Sequence, residues 1–104
     1  MPNAFTIVHR ERITAAAAEL RVPAVYALRT FVAAGGLMAY GANVSDIFRR
    51  AASYVDRILK GSRPGELPVQ APTQFELAVN LKAAGALGLV VPPTLLLRAD
   101  EVIE

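Results

Sequence analysis

The sequence predicts an α/β fold built on a largely parallel sheet. Helix-period segments alternate along the chain with short apolar, β-branched segments, and Gly or Pro falls at nearly every junction. The composition, 54% hydrophobic and 19% charged over 104 residues, suits one compact domain with a buried core. About three short strands can be read, fewer than the ~5–6 of an ordinary sheet. The sheet is therefore expected to be truncated.

The first helix is expected over Ile7–Leu20, with Thr6 as N-cap and Ile13, Ala16, Ala17 and Leu20 on one face. Val22-Pro23-Ala24-Val25-Tyr26 reads as a buried strand opened by proline, where a missing N–H matters least. A short helix over Arg29–Ala34 ends at Gly35-Gly36, one of which must take positive φ. Leu37–Tyr40 reads as a second strand closed by Gly41.

The strongest signal is a helix over Ser45–Lys60. Ser45 is read as its cap, and Ile47, Phe48, Ala51, Ala52, Val55, Ile58 and Leu59 recur at helical spacing. Asp46 and Arg50 stand four apart as an ion pair on its outer face, and Gly61 ends it. A loop rich in Gly and Pro follows, then a strand fragment at Val69–Ala71 and a strand at Phe75–Asn80. Leu81–Leu87 is expected to be a helix stopped by Gly88, and Thr94–Val102 a last helical turn after Pro92-Pro93.

Several function classes find little support. A formal charge of +2 with scattered basic residues gives no footprint for nucleic acid. With no cysteine there are no disulfides, thiolate metal sites or cysteine nucleophiles. No run of ~18 apolar residues encodes a membrane span. His9, the one histidine, sits in the polar run His9–Arg12 and reads as part of a solvated helix face. Ser45 and Ser53 lack a G-x-S-x-G setting, and Asp46 and Asp56 read as surface ion-pair partners. The glycines of Ala34–Gly41 lack the GK[ST] ending of a phosphate loop. No catalytic or metal-ligating residue and no cofactor is expected.

Ligand-binding candidates come from topology instead. Ligands of open α/β sheets sit outside the carboxyl ends of the strands. That rule selects Arg29 after the first strand, and Tyr40 and Gly41 after the second. An arginine there can grip a carboxylate with two parallel hydrogen bonds. The competing reading is a helix-start arginine paired with a neighbour or with solvent.

Val22–Tyr26, Arg29–Gly41, Phe48–Gly61, Leu67–Lys82, Ala86–Leu89 and Pro92–Leu96 through Arg98–Ile103 form an ordered series spanning nearly the whole chain. That series resembles the C-terminal part of ABC-transporter substrate-binding proteins, in the group often labelled as tryptophan/tyrosine transport components. Ala39 departs from the pattern, where the family often has Ser. The resemblance implies the type I periplasmic-binding-protein fold: two Rossmann-like lobes joined by three crossing segments, of which this chain holds a C-terminal fragment. It divides the chain into 1–36, the end of the second lobe; 37–62, a crossing strand and first-lobe helix; and 63–104, a C-terminal strand and helices. On this resemblance Met1 stands at a position internal to the family's sequence.

The resemblance further implies a small-molecule ligand, an ABC permease as partner, no cofactor, and a periplasmic or membrane-tethered extracytoplasmic setting. The N-terminus lacks a basic start followed by an apolar core, so the chain as written is expected to stay cytoplasmic. The face Phe48, Ala52, Val55 and Leu59 would suit a sheet largely outside this chain. Leaving it uncovered forgoes ~1.5–3 kcal/mol per large side chain, against a total domain stability of ~5–15 kcal/mol. The isolated chain is thus expected to be marginal, partly molten or self-associated. The alternative function is a small α/β interaction domain that self-associates through this face.

Overall fold

A computed structural model describes residues 3–104. Its elements are α1 (Ala4–Val8), α2 (Arg10–Glu19), β1 (Val25–Tyr26), α3 (Arg29–Ala33), β2 (Met38–Ala42) and α4 (Val44–Leu59). A 3-10 turn (Pro64–Glu66) follows, then β3 (Phe75–Asn80), α5 (Leu81–Ala86), α6 (Pro93–Leu96) and β4 (Glu101–Ile103). The mixed α/β reading holds, with four strands rather than three in the order β1-β2-β3-β4.

β1 and β2 pair in parallel, Val25 opposite Met38, as do β3 and β4, Ala78 opposite Glu101. The central pair runs in opposite directions. Asn80 N–H bonds to the Leu37 carbonyl and Asn43 N–H to that of Gln74, so rising numbers on β2 meet falling numbers on β3. The backbone clusters into two compact units, one of residues up to Gly41 with Glu76–Glu104, the other Ala42–Phe75. The chain passes between them on β2 and β3.

The larger unit holds the core. Val32 of α3 meets Ala39 of β2 and Ala78 of β3, with Tyr26 and Ile103 packed alongside. In β3, Leu77, Ala78, Val79 and Asn80 are all buried, although successive side chains point to opposite faces. The strand is therefore covered on both sides. Asn80 closes it by capping α5, its Oδ1 accepting from Ala83 N–H at 3.0 Å. The turn after α3 is a Schellman closure: Gly35 at φ 111° sends its N–H to Val32, and Gly36 sends its own to Phe31.

Several expectations change. The first helix is broken at His9 into α1 and α2, and Asn3 caps α1 with Thr6 as its capping-box partner. On α2 the buried residue is Thr14, whose hydroxyl lies within hydrogen-bond distance of the Arg10 and Ala34 carbonyls. Leu20 is the C-cap of α2 and is exposed. The expected buried strand Val22–Tyr26 shrinks to two residues on an edge, with Val25 66% exposed. Val69–Ala71 is not a strand, and Val69 is fully exposed. The expected last helix stops at Leu96, and Glu101–Ile103 forms β4. Asp100 opens that strand: its carboxylate accepts Leu77 N–H at 2.8 Å and its N–H returns to the Leu77 carbonyl.

The smaller unit is α4 and the loop after it. Asn43, not Ser45, caps the helix by accepting Asp46 N–H at 2.9 Å. Asp46 pairs with Arg49 at 3.8 Å rather than with Arg50. Arg50 turns to the loop, donating to Gln70 Oε1 at 2.7 Å and the Ala71 carbonyl at 3.2 Å. Tyr54 hydroxyl donates to the Pro68 carbonyl. Phe48, Val55 and Leu59 are exposed on α4.

Two substitutions test this packing. Asn43→Ala should cost about 1 kcal/mol of α4 stability whereas Ser45→Ala costs almost nothing, read as helix content against urea. Gly41 lies so close to the Ala27 carbonyl that a Cβ would overlap it, whereas one at Gly65 would meet open space. Gly41→Ala should therefore lower the unfolding free energy by about 1–3 kcal/mol, with Gly65→Ala near neutral in the same urea titration.

Candidate functional site

Arg29 is the first residue of α3, placed by the extended backbone of Leu28 at the carboxyl end of β1. Its Nε donates to Glu101 Oε2 on β4, a partner 72 residues away. That hydrogen bond, and then the charge of the same carboxylate, holds the guanidinium pKa above its ordinary value. Both side chains reach solvent, 57% and 40% exposed, so the pair adds little to stability. Its interest is geometric, because the bond fixes Nε and leaves the Nη edge outside it. Arg29, Glu76, Leu77, Ala78, Asp100 and Glu101 line one hollow of about 270 Å³.

Gly41 lies against the Ala27 carbonyl, which brings β2 next to the Ala27-Leu28-Arg29 segment at this same end of the sheet. Tyr40 does not share Arg29's hollow. Ala39 faces the core and Tyr40, one residue on, leaves the opposite face with 59% exposure. β2 runs on to Ala42, so Tyr40 and Gly41 lie within the strand rather than at a strand-to-helix boundary.

A larger hollow of about 330 Å³ opens elsewhere in the same unit, lined among others by Thr14, Ala17, Tyr26, Leu37, Asn80 and Ala83. It is mostly apolar. Tyr26 stacks on Phe31 with ring centroids 4.9 Å apart, and burial pushes its phenol pKa up. In the smaller unit, Ile47, Arg50, Ala51, Tyr54, Gln70 and Pro72 line a hollow of about 190 Å³. His9 lies against the Phe5 ring, centroids 4.5 Å apart. Among the described residues no group of three or more His, Cys, Asp or Glu could hold a metal ion. No helix among the described residues is long and apolar enough to cross a membrane.

Glu76, Asp100 and Glu101 were not sequence candidates. The signal for Glu101 was the β-branched pair Val102-Ile103, which marks a strand and so places its neighbours on a sheet edge. Three residues show no period, and the preceding Thr94–Leu97 run favours helix.

Solved structures share this fold. A conserved domain protein from Vibrio cholerae O1 biovar eltor superposes with TM-score 0.86 at 31% identity, over 93% of this chain and 33% of its own. A domain from Streptococcus pneumoniae in complex with L-Trp gives TM-score 0.78 at 24% identity, over 88% and 32%. A ligand-free, open substrate-binding protein with adhesive properties from Clostridium difficile gives 0.67 at 21%, over 97% and 34%. The chain thus spans about a third of the length of each. A comparison with the curated proteins finds no significant match. Residues 2–103 match the family described as ABC transporter substrate binding protein, and this chain belongs to that family.

Proposed function

We propose that the chain is the C-terminal part of the substrate-binding component of an ABC importer for a small organic solute of the amino-acid type. On this reading no bond is broken: the full protein closes on its ligand outside the membrane and presents a surface to the permease. The smaller unit, Ala42–Phe75, belongs to the first lobe, and the larger unit to the second. The observation that carries the reading is the family match over almost every residue, 2–103. Two compact units linked by two strands accord with a chain that visits both lobes. Arg29 and Gly41 contribute to the ligand site at the carboxyl end of the parallel pair, where ligands of such sheets bind. Tyr40 contributes from the other face of β2. The structural neighbour bound to L-Trp makes that amino acid the natural first probe.

The reading predicts that L-tryptophan shifts the backbone amide resonances of 27–29 and 40–41 in a saturable way, at millimolar affinity because only part of the fold is present. Shifts confined to distant residues, or none, would remove these residues from the site.

A second reading is favoured by one observation, the exposed stripe Phe48, Val55 and Leu59 on α4. Left in water, such a stripe drives self-association. Light scattering after size exclusion should then find oligomers that dissociate in the double variant Phe48→Glu, Leu59→Glu. A monomeric wild type would count against it.

A further inference from the structure

We propose that Glu101 is a specificity-determining residue, setting the charge that Arg29 shows to a ligand so that a carboxylate is accepted only when the ligand also carries a cationic group. The inference rests on the reading above in which Arg29 meets the ligand, and adds a partner and a selection rule. It starts from the charges around one hollow. Arg29 contributes one positive charge, while Glu76, Asp100 and Glu101 contribute three negative ones. Asp100 is held by the backbone, one of its oxygens accepting Leu77 N–H at 2.8 Å. Glu101 faces Arg29 directly, its Oε2 accepting from Nε. Glu76 is near enough to add to the field that keeps the guanidinium protonated.

Two consequences follow. Glu101 takes Nε, and on the proposed reading a ligand carboxylate meets the Nη edge, in a geometry a free arginine would sample only part of the time. The charge of that guanidinium is, however, already balanced. A purely anionic ligand reaching the Nη edge meets Glu101 and Glu76 close behind it, and the like charges repel. A zwitterion brings its own compensation, because an ammonium group beside its carboxylate is attracted by the same two glutamates. Arg29 and Glu101 thus form one unit that orients and discriminates, where Arg29 alone would bind any small acid.

The register keeps the unit together. Glu101 pairs with Ala78 in the β3–β4 ladder and therefore projects from the face on which Ala78 packs against Val32 of α3. Arg29 stands on the same helix one turn earlier than Val32. Both side chains are set by elements anchored in the core rather than by mobile loops.

The test uses this chain, its Arg29 side-chain Nε–Hε resonance, and three probes that share an indole ring: L-tryptophan, indole-3-propionate without the amine, and tryptamine without the carboxylate. The wild type should bind L-tryptophan about tenfold more tightly than indole-3-propionate, the scale of one nearby like charge at a partly solvated site. Glu101→Gln should abolish that preference by strengthening indole-3-propionate, while Asp56→Asn, which removes a carboxylate from the smaller unit, should leave it in place. Glu101→Asp should restore part of it. If the Arg29 resonance answers the probes and Arg29→Lys weakens L-tryptophan, but Glu101→Gln leaves the preference intact, the proposal fails and the ligand role of Arg29 stands. If none of the three probes moves Arg29, both fail together. Circular dichroism on each variant separates these outcomes from loss of fold.

Discussion

The larger unit depends on the contact of Val32 with Ala39 and Ala78. α3 lies directly on β2 and β3 because the strand residues beneath it are alanines. A larger side chain at either position would lift the helix, and with it the start of α3, where Arg29 sits. The same closeness recurs at Gly41, which has no room for a Cβ against the Ala27 carbonyl. Small residues bring backbone near backbone at the end of the sheet where β1 and β2 finish. The Ala- and Gly-rich composition is thus a geometric requirement as well as a helix preference.

How much of this was legible in the sequence follows from how local each signal is. β3 was read with its true bounds, since Phe75–Asn80 alternates apolar and polar residues at first, a short distance after Pro72. α4 was read to within a residue at each end, because sixteen residues repeat the period more than four times. The failures lie where tertiary partners decide. Ser45 is a good capping residue, but the helix starts at Val44, two residues before a Ser45 cap would allow, and Asn43 takes the role. β4 becomes a strand through pairing with β3, and the pair Val102-Ile103 is too short a local signal to outweigh the helical run before it. The break at His9 likewise has no breaker in the sequence.

The candidate site was legible in half. Arg29, Tyr40 and Gly41 followed from a topological rule that needs only strand order and direction, and the structure sets Arg29 and Gly41 at one end of the parallel pair. The other half was invisible. Glu101 lies 72 residues from Arg29, and their meeting requires β4 to exist, to pair in parallel with β3 and to take the register that places Glu101 on the α3 face. A one-residue slip would send Glu101 to the opposite face. Tyr40 shows the same parity at work, since its neighbour Ala39 takes the core and sends it outward.

The two units are ordered by different means, and this bears on what the chain can do alone. The larger unit has side chains such as Val32 and Val79 removed from water almost completely, so its order is intrinsic. The smaller unit has no comparable apolar centre. α4 buries only Asp46 and is held by the Asn43 cap, by exposed ion pairs, and by Arg50 and Tyr54 reaching to their loop. Caps and exposed pairs contribute about 1 kcal/mol or less each, and a single helix of this length is marginal in water. The stripe Phe48, Val55 and Leu59 is the largest unused source of stability on that helix, available only when a surface covers it. The arrangement of α3, β1, β2 and β4 around Arg29 therefore rests on the buried core of the larger unit, whereas α4 draws its order from caps and exposed pairs.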